Sequence, residues 1–306
     1  MNDLNSALLN IYNKSPLQKK KIEGYLSSQP TSFFKEADKF IFDYSGYLKE
    51  EGLSFEYAVD AYLKMCSDMV KCQIFFMKYD KYPLEDQEQA FEEVYDSPAE
   101  MHSFMVALAL SQYLWKTHYK MFKHFQSSIE NIKNDVSKYL EIGPGHGLYF
   151  QYALKCFGIK TSYRAVDISK TSLDMTKNII SYFSLDENNI SYVNDDMLNI
   201  SMDEKFDFIT MGEVIEHVNF PQKLLLKLKS LLSKSGYAFI TTCVNCPTID
   251  HVFHFKSVSE IQDMIIKSKF DIVSEKILPV EKLPMDEIIK KKITINYSAI
   301  IKKNNQ

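Results

Sequence analysis

The sequence predicts an α/β fold: a doubly wound, seven-stranded sheet behind an N-terminal all-helical domain. From Lys138 onward, short apolar runs alternate with helix-length segments, the rhythm of a mostly parallel sheet covered on both faces. Before that point, apolar residues recur at three- and four-residue steps, the period of helices. The change near Asn134 is one of pattern and not of composition, with no low-complexity linker. It divides the chain into residues 1–135 and 136–306.

In the first part, Leu53 to Tyr79 carries Tyr57, Tyr62, Met65, Met69, Ile74 and Phe75 at helical spacing, with Ser54 placed as an N-cap. Ser97-Pro98-Ala99-Glu100 has the form of a capping box: serine to cap, proline at the first helical position, glutamate to reach back. The helix it opens is expected to run into the 120s. Met105 to Leu110 is apolar on every side, which implies burial all round. The aromatic stretch after it holds Tyr113, Trp115, His118, Tyr119, Phe122, His124 and Phe125. Tyr113, His118 and Tyr119 could roof a substrate pocket; an interdomain core would use the same stripe. In the second part, strands are expected at 139–142, 162–166, 190–193, 206–211, 237–242, 270–276 and 293–301, with helices at 148–157, 171–183 and 220–232. A proline-bearing stretch, Leu278 to Met285, reads as a loop between the last two strands and makes an antiparallel final strand the expectation.

At 306 residues, 45% hydrophobic and 25% charged, the chain has the makeup of a soluble globular protein. The formal net charge is -4, and the single arginine is Arg164. Nucleic acid is a disfavoured partner, because phosphate backbones are gripped by basic stripes rich in arginine. The runs Lys19-Lys20-Lys21 and Lys290-Lys291-Lys292 read as solvated faces. Cys66, Cys72, Cys156, Cys243 and Cys246 are too scattered for a disulfide framework. The start has no secretory pattern and no run reaches bilayer length, so a cytoplasmic, reduced setting without a membrane partner is expected. A homodimer is compatible with the sequence.

The chemistry concentrates where strands end. The first ends in Glu141-Ile142-Gly143-Pro144-Gly145-His146-Gly147, whose glycines let the backbone turn sharply and approach a ligand. A dinucleotide fingerprint would need glycine at 148, where Leu148 stands. Glu141 would repel a pyrophosphate and attract the ammonium group of a sulfonium amino acid. The turn therefore fits S-adenosylmethionine better than NAD, and an NAD-linked oxidoreductase is the least favoured reading. The second strand ends at Asp167, where a carboxylate can accept both ribose hydroxyls, or cap a helix together with Ser169. The third leads into Asn194-Asp195-Asp196-Met197-Leu198, a carboxylate for an adenine amino group and a thioether for its ring face. The fourth leads through Met211 and Gly212 into Glu213-Val214-Ile215-Glu216-His217.

In this order and at this spacing, the four blocks resemble the class I S-adenosylmethionine-dependent methyltransferase family over residues 138–302. The resemblance implies a Rossmann-like fold with S-adenosyl-L-methionine as cofactor. It implies that Glu141, Gly143 and Gly145 surround the methionine moiety, with His146 beside them. Asp167 and Ile168 would meet the ribose, Asp196 and Met197 the adenine, and Met211 and Glu213 the sulfonium side. One departure, Lys234-Ser235-Gly236 where members often carry two glycines, touches a turn and not the chemistry.

Methyl transfer from a sulfonium is an in-line displacement that needs chiefly a placed acceptor and exclusion of water. A base helps when the acceptor is a hydroxyl or an acidic carbon. Of His146, His217, His251 and His254 near the sheet's carboxyl edge, His217 and His254 are the catalytic candidates and His251 a pocket residue. On a helix, Glu213, Glu216 and His217 would share one side and could bind a divalent metal, with His251 or His254 completing the site. Glu-x-x-Glu-His resembles the pattern of ubiquinone-pathway O-methyltransferases and small-RNA methyltransferases, which use a metal, and also that of many metal-free members. The metal-free reading is favoured. Cys243-Val244-Asn245-Cys246, lacking a second pair, is poor as a zinc motif and points to a substrate loop. The favoured function is methylation of a small-molecule metabolite or natural-product intermediate, at oxygen, nitrogen or carbon, under the helical domain. One alternative is a metal-dependent RNA 2′-O-methyltransferase using Glu213, Glu216 and His217. The other is a non-catalytic S-adenosylmethionine-binding scaffold.

Overall fold

The computed structural model describes residues 3–304 apart from positions 85 and 186. Helices α1 (Leu4–Lys14), α2 (Pro16–Leu26), α3 (Thr31–Glu50), α4 (Phe55–Tyr79), α5 (Gln87–Ala90), α6 (Pro98–Leu114) and α7 (Lys116–Glu130) precede the first strand. Ser54 caps α4 as expected, its side chain accepting from the Tyr57 N–H at 3.2 Å. The capping box at 97–100 does not form. Ser97 makes no side-chain cap bond, and Glu100 turns outward to Lys64 Nζ at 2.8 Å. Nor does one helix run from 98 into the 120s. Trp115 takes an extended backbone with φ -116° and ψ 125°, while its indole N–H donates to the Tyr62 hydroxyl on α4 at 2.8 Å. That anchor accompanies a helix break at a position with neither glycine nor proline.

Strands β1 (Lys138–Ile142), β2 (Ser162–Asp167), β3 (Ile190–Asn194), β4 (Phe206–Gly212), β5 (Leu232–Val244), β6 (Phe270–Pro279) and β7 (Ile295–Lys303) form one 7-stranded sheet in the order β3-β2-β1-β4-β5-β7-β6. The first five are parallel; β7 lies antiparallel between β5 and β6, the arrangement expected of the final strand. Helices α8 (Leu148–Phe157), α9 (Lys170–Tyr182), α10 (Pro221–Leu231) and α11 (Val258–Lys267) are the crossovers. A short α12 (Met285–Lys290) occupies the end of the link between β6 and β7. Strand order reverses at β1, between β2 and β4. A crevice opens there at the carboxyl ends of the strands.

Side chains alternate across the sheet. Tyr139, Ala165, Phe208, Phe239 and Ile300 face one core, shared with α1, α3, α4, α6, α7, α8 and α9. Leu140, Val166, Ile209, Ile240 and Ile301 face a second core, under α10 and α11. The N-terminal helices are thus continuous in packing with one sheet face. Phe125 of α7 meets Phe239 of β5 at 5.3 Å between ring centroids, and the His124 ring sits between Ser298 and Ser274 hydroxyls at 2.9 and 3.0 Å. Among the described residues, no helix is long and apolar enough to cross a membrane.

Phe125 is fully buried at this junction. Phe125→Ala is expected to cost about 3–5 kcal/mol in denaturant unfolding. A loss under about 1 kcal/mol would mean that the helices rest loosely on the sheet.

Candidate functional site

The crevice opens into a cavity of about 1440 Å³, bounded below by the ends of β1, β2 and β4 and above by α4 and α6. Buried carboxyls face into it at the ends of β1 and β2. Glu141 is 3% exposed, and burial pushes its carboxyl up to about 8 despite the hydrogen bond donated by Tyr139 from the same face of β1. Thr210, on neighbouring β4, lies 2.9 Å from that tyrosine hydroxyl and completes the support. Asp167 is pushed by burial up to about 7, against the N–H groups of Ser169, at 2.8 Å, and Gly145. Helix capping falls instead to Ser169, which receives the Ser172 N–H. Burial costs a carboxylate its hydration, so each of these groups favours a ligand that brings a cation or hydroxyl donors.

The turn after β1 keeps the entrance open. Gly143 has φ 64°, and a Cβ on it would meet Val214 Cγ2 at 2.8 Å. Gly145 has φ 55° and lets Met105 of α6 come within 3.0 Å of where its Cβ would be. Both positions demand glycine, by backbone and by space. His146 also borders the cavity, its Nδ1 accepting from the Leu148 N–H at 3.2 Å. Its Nε2 therefore carries the proton, and the Gln112 amide 3.3 Å away satisfies both groups when its oxygen faces the ring. Ile168, Asp196 and Met197 line the cavity as well. Asp196 Oδ1 is taken by the Leu198 N–H at 2.8 Å, leaving its second oxygen for a ligand.

Beyond β4 the chain departs from expectation. Glu213 adopts φ 52°, and residues Ile215–His217 form a single 3-10 turn in place of an α-helix. Glu213 and His217 face the cavity, whereas Glu216 is fully buried beside it and accepts from Thr242 Oγ1 at 2.9 Å. Its carbonyl receives the N–H groups of Val252 and Phe253, which folds the segment 250–253 back against the turn. His217 is framed by residues that sequence reasoning missed. Its Nδ1 lies 2.9 Å from the Asp250 carbonyl and 3.0 Å from the Tyr95 hydroxyl. Tyr95 in turn donates to Asp250 Oδ2 at 3.3 Å, and Thr248 donates to Asp250 Oδ1 at 2.7 Å. With Nδ1–H given to the carbonyl, the lone pair of His217 resides on Nε2. Tyr95 closes a π-helical turn, Phe91–Tyr95, an element common at functional sites but without a sequence signature.

Not every expected residue reaches the cavity. Met211 points to the opposite sheet face and is fully buried in the second core, because Thr210 and Gly212 take the cavity side of β4. His254 lies behind the cavity, its Nε2 paired with Asn245 Oδ1 at 2.7 Å and its ring against Phe76 and Tyr82. Tyr113 stacks on Phe40 at 4.7 Å and Tyr119 packs on Phe33 at 4.9 Å, so both are helical core and not roof. His118 does line the cavity; burial takes its pKa down to about 3 and its Nδ1 meets Ser111 Oγ at 2.7 Å. His251 lines it too, with a pKa lowered by burial to about 4 and Nδ1 on the Cys246 carbonyl at 2.7 Å.

Residues 116–265 match the family described as methyltransferase domain. A ubiquinone biosynthesis O-methyltransferase of Coxiella burnetii is 33% identical over 104 residues, 34% of this chain and 42% of that protein. The mitochondrial ubiquinone biosynthesis O-methyltransferase of Candida albicans is 29% identical over 114 residues, 37% of this chain and 35% of that protein. These matches span less than half the length of either relative. Among solved structures, the mitomycin 7-O-methyltransferase MmcR shares the fold with a TM-score of 0.55, at 9% identity over 81% of this chain and 70% of its own. The N-methyltransferase NodS of Bradyrhizobium japonicum, solved with S-adenosyl-L-homocysteine, does so at 0.51, with 14% identity over 70% of this chain and 98% of its own. The chain carries a class I S-adenosylmethionine-dependent methyltransferase domain.

The free protein holds Glu141 protonated below about pH 8, and an ammonium partner would draw that proton off. Affinity for S-adenosylhomocysteine in isothermal titration should therefore climb as pH rises toward 8, by at most about tenfold per unit, and stop climbing once the ligand's own amine deprotonates. Glu141→Gln should lose about tenfold or more in affinity, and with it the part of the rise between about pH 7 and 8. Unchanged affinity in that variant would remove Glu141 from the cofactor's contacts.

Proposed function

We propose that this chain methylates a small-molecule acceptor, in a cavity whose lower part holds S-adenosylmethionine and whose upper part, under the helices, holds the acceptor. Residues 136–306 then form the methyltransferase domain and residues 1–135 its cap. The observation that carries this reading is the single cavity that joins Glu141 and Asp167 to His217 and to an apolar wall of Met65, Met69, Met101 and Phe104. A polymer would need an open, basic groove; an apolar wall suits a compact, largely desolvated acceptor. The relatives named for ubiquinone biosynthesis support oxygen as the methylated atom.

Bound S-adenosylmethionine supplies a methyl group on a positively charged sulfur, an electrophile that needs no further activation. Glu141 anchors the amino-acid tail, Asp167 the ribose and Asp196 with Met197 the adenine, which fixes the direction of transfer. The apolar wall excludes water from the transfer path. His217 Nε2 faces the acceptor and takes its proton as the methyl group arrives, while the Asp250 carbonyl and Tyr95 hold the ring. Tyr95 comes from the cap, so the base is correctly set only when the cap is seated.

A second reading rests on one observation. Glu213 Oε1 and Glu216 Oε1 are buried and meet no N–H or hydroxyl donor among the described residues, the two carboxyls facing each other, and ligand atoms of Glu216, His217 and His251 lie within 4.8 Å of one another. Such a donor set fits a divalent ion, which would supply Lewis-acid activation of an acceptor oxygen. On this reading Glu213, Glu216, His217 and His251 hold the ion.

Turnover with a panel of phenols, catechols and amines tests the leading reading against a scaffold, which would bind S-adenosylhomocysteine and methylate nothing. His217→Ala should lower kcat by about 100-fold or more, while S-adenosylhomocysteine affinity stays within about threefold. Wild-type turnover in that variant would strike His217 from the catalytic groups.

A further inference from the structure

We propose that the first turn of α7 is a binding site for an oxyanion, a carboxylate or a phosphate, carried by the methyl acceptor. This rests on the proposed division of the cavity and adds to it the charge of the acceptor. Helix α7 starts without a cap. Trp115 offers it no side-chain bond, and the N–H groups of Lys116, Thr117 and His118 meet no acceptor among the described residues. All three residues border the cavity. The N-terminus of this 15-residue helix carries partial positive charge and aligned donors, which together suit an anion.

Two buried side chains, one of them on another element, point to the same ligand. Thr117 is 6% exposed and Asn296 4%, and both border the cavity. Neither the hydroxyl nor the amide meets a partner among the described residues. A buried hydroxyl and a buried amide in this state call for a hydrogen-bonding ligand. The packing brings them to one end of the cavity. His124 Nδ1 of α7 lies 2.9 Å from Ser298 Oγ of β7. Thr117 stands two turns before His124 on the same face of the helix, and Asn296 one pleat before Ser298 on the same face of the strand. Cations border this end too. Lys116 opens the helix, and a helical side chain at that position leans toward the N-terminus. Lys21 of α2 follows Gln18 by three residues, and Gln18 accepts from the Tyr62 hydroxyl that holds Trp115. The cofactor's own carboxylate belongs elsewhere. It stays within about 4 Å of the amine that Glu141 anchors. Strand β7 lies three strands from β1, about 14 Å away at about 4.8 Å per strand.

Isothermal titration of the full chain loaded with S-adenosylhomocysteine tests this with three probes: 4-hydroxybenzoate, 4-hydroxyphenyl phosphate and the neutral 4-hydroxybenzamide. Wild type should bind one of the two anions about tenfold or more tighter than the amide, and the preferred one identifies the oxyanion. Lys116→Glu, at an exposed position, should abolish that preference. Thr117→Val should reduce it about tenfold, and Thr117→Ser should keep it. Equal affinity for anions and amide in wild type, binding of none of them included, would overturn the site. So would a preference that survives both Lys116→Glu and Thr117→Val. Loss of S-adenosylhomocysteine affinity by the same factor in Thr117→Val would move the oxyanion to the cofactor's tail and overturn the acceptor assignment. Wild type that binds S-adenosylhomocysteine without any anion preference overturns this site alone, whereas wild type that fails to bind it sinks the methyltransferase reading as well.

Discussion

A carboxyl group sealed at the end of the first strand sets the terms for everything around it. Glu141 sits where strand order reverses, in the position a parallel sheet reserves for ligands, yet its burial makes the negative charge costly. Tyr139 and Thr210 support it only in part. A diphosphate would add to the cost, and an ammonium group would relieve it. The left-handed glycines that follow hold the entrance open, and Asp167 repeats the same electrostatic theme one strand away.

That burial is created by the helices. Their apolar residues run into the same core as Tyr139, Phe208 and Phe239, so they roof the crevice as part of the sheet's own packing. Polar side chains of the region before α6 also reach the loops that border the cavity. The Tyr95 hydroxyl meets His217, the Tyr82 hydroxyl accepts the Cys246 N–H at 2.9 Å, and Gln87 and Asn219 exchange hydrogen bonds at 3.3 and 3.4 Å. The link between β4 and α10 and the loop after β5, which carry His217 and His251, are thereby pinned from above.

The sheet and the glycine turn after its first strand were legible in the sequence because they depend on short-range grammar. Short apolar runs separated by helix-length segments located the strands, and the glycine turn announced its conformation through residues that tolerate positive φ. Other features lacked such a signal. The break at Trp115 is marked by neither glycine nor proline; its side-chain anchor lies on α4. Met211 and Thr210 differ by one position, and strand alternation sends only one of them to the cavity. The helical reading of 213–217 failed because Glu213 turns left-handed, a conformation rare for glutamate. Tyr95 and Asp250 stand 155 positions apart and meet only in the folded chain. The bond of His254 to Asn245, which keeps it behind the cavity, likewise exists only in the fold.

A crystal structure of the protein with S-adenosylhomocysteine tests the central claim most directly. The ligand's amino nitrogen should lie about 3 Å from a Glu141 carboxylate oxygen, beside the turn at 143–147. A ligand that places that amine elsewhere, or a nucleotide whose phosphates rest on the turn, would contradict it.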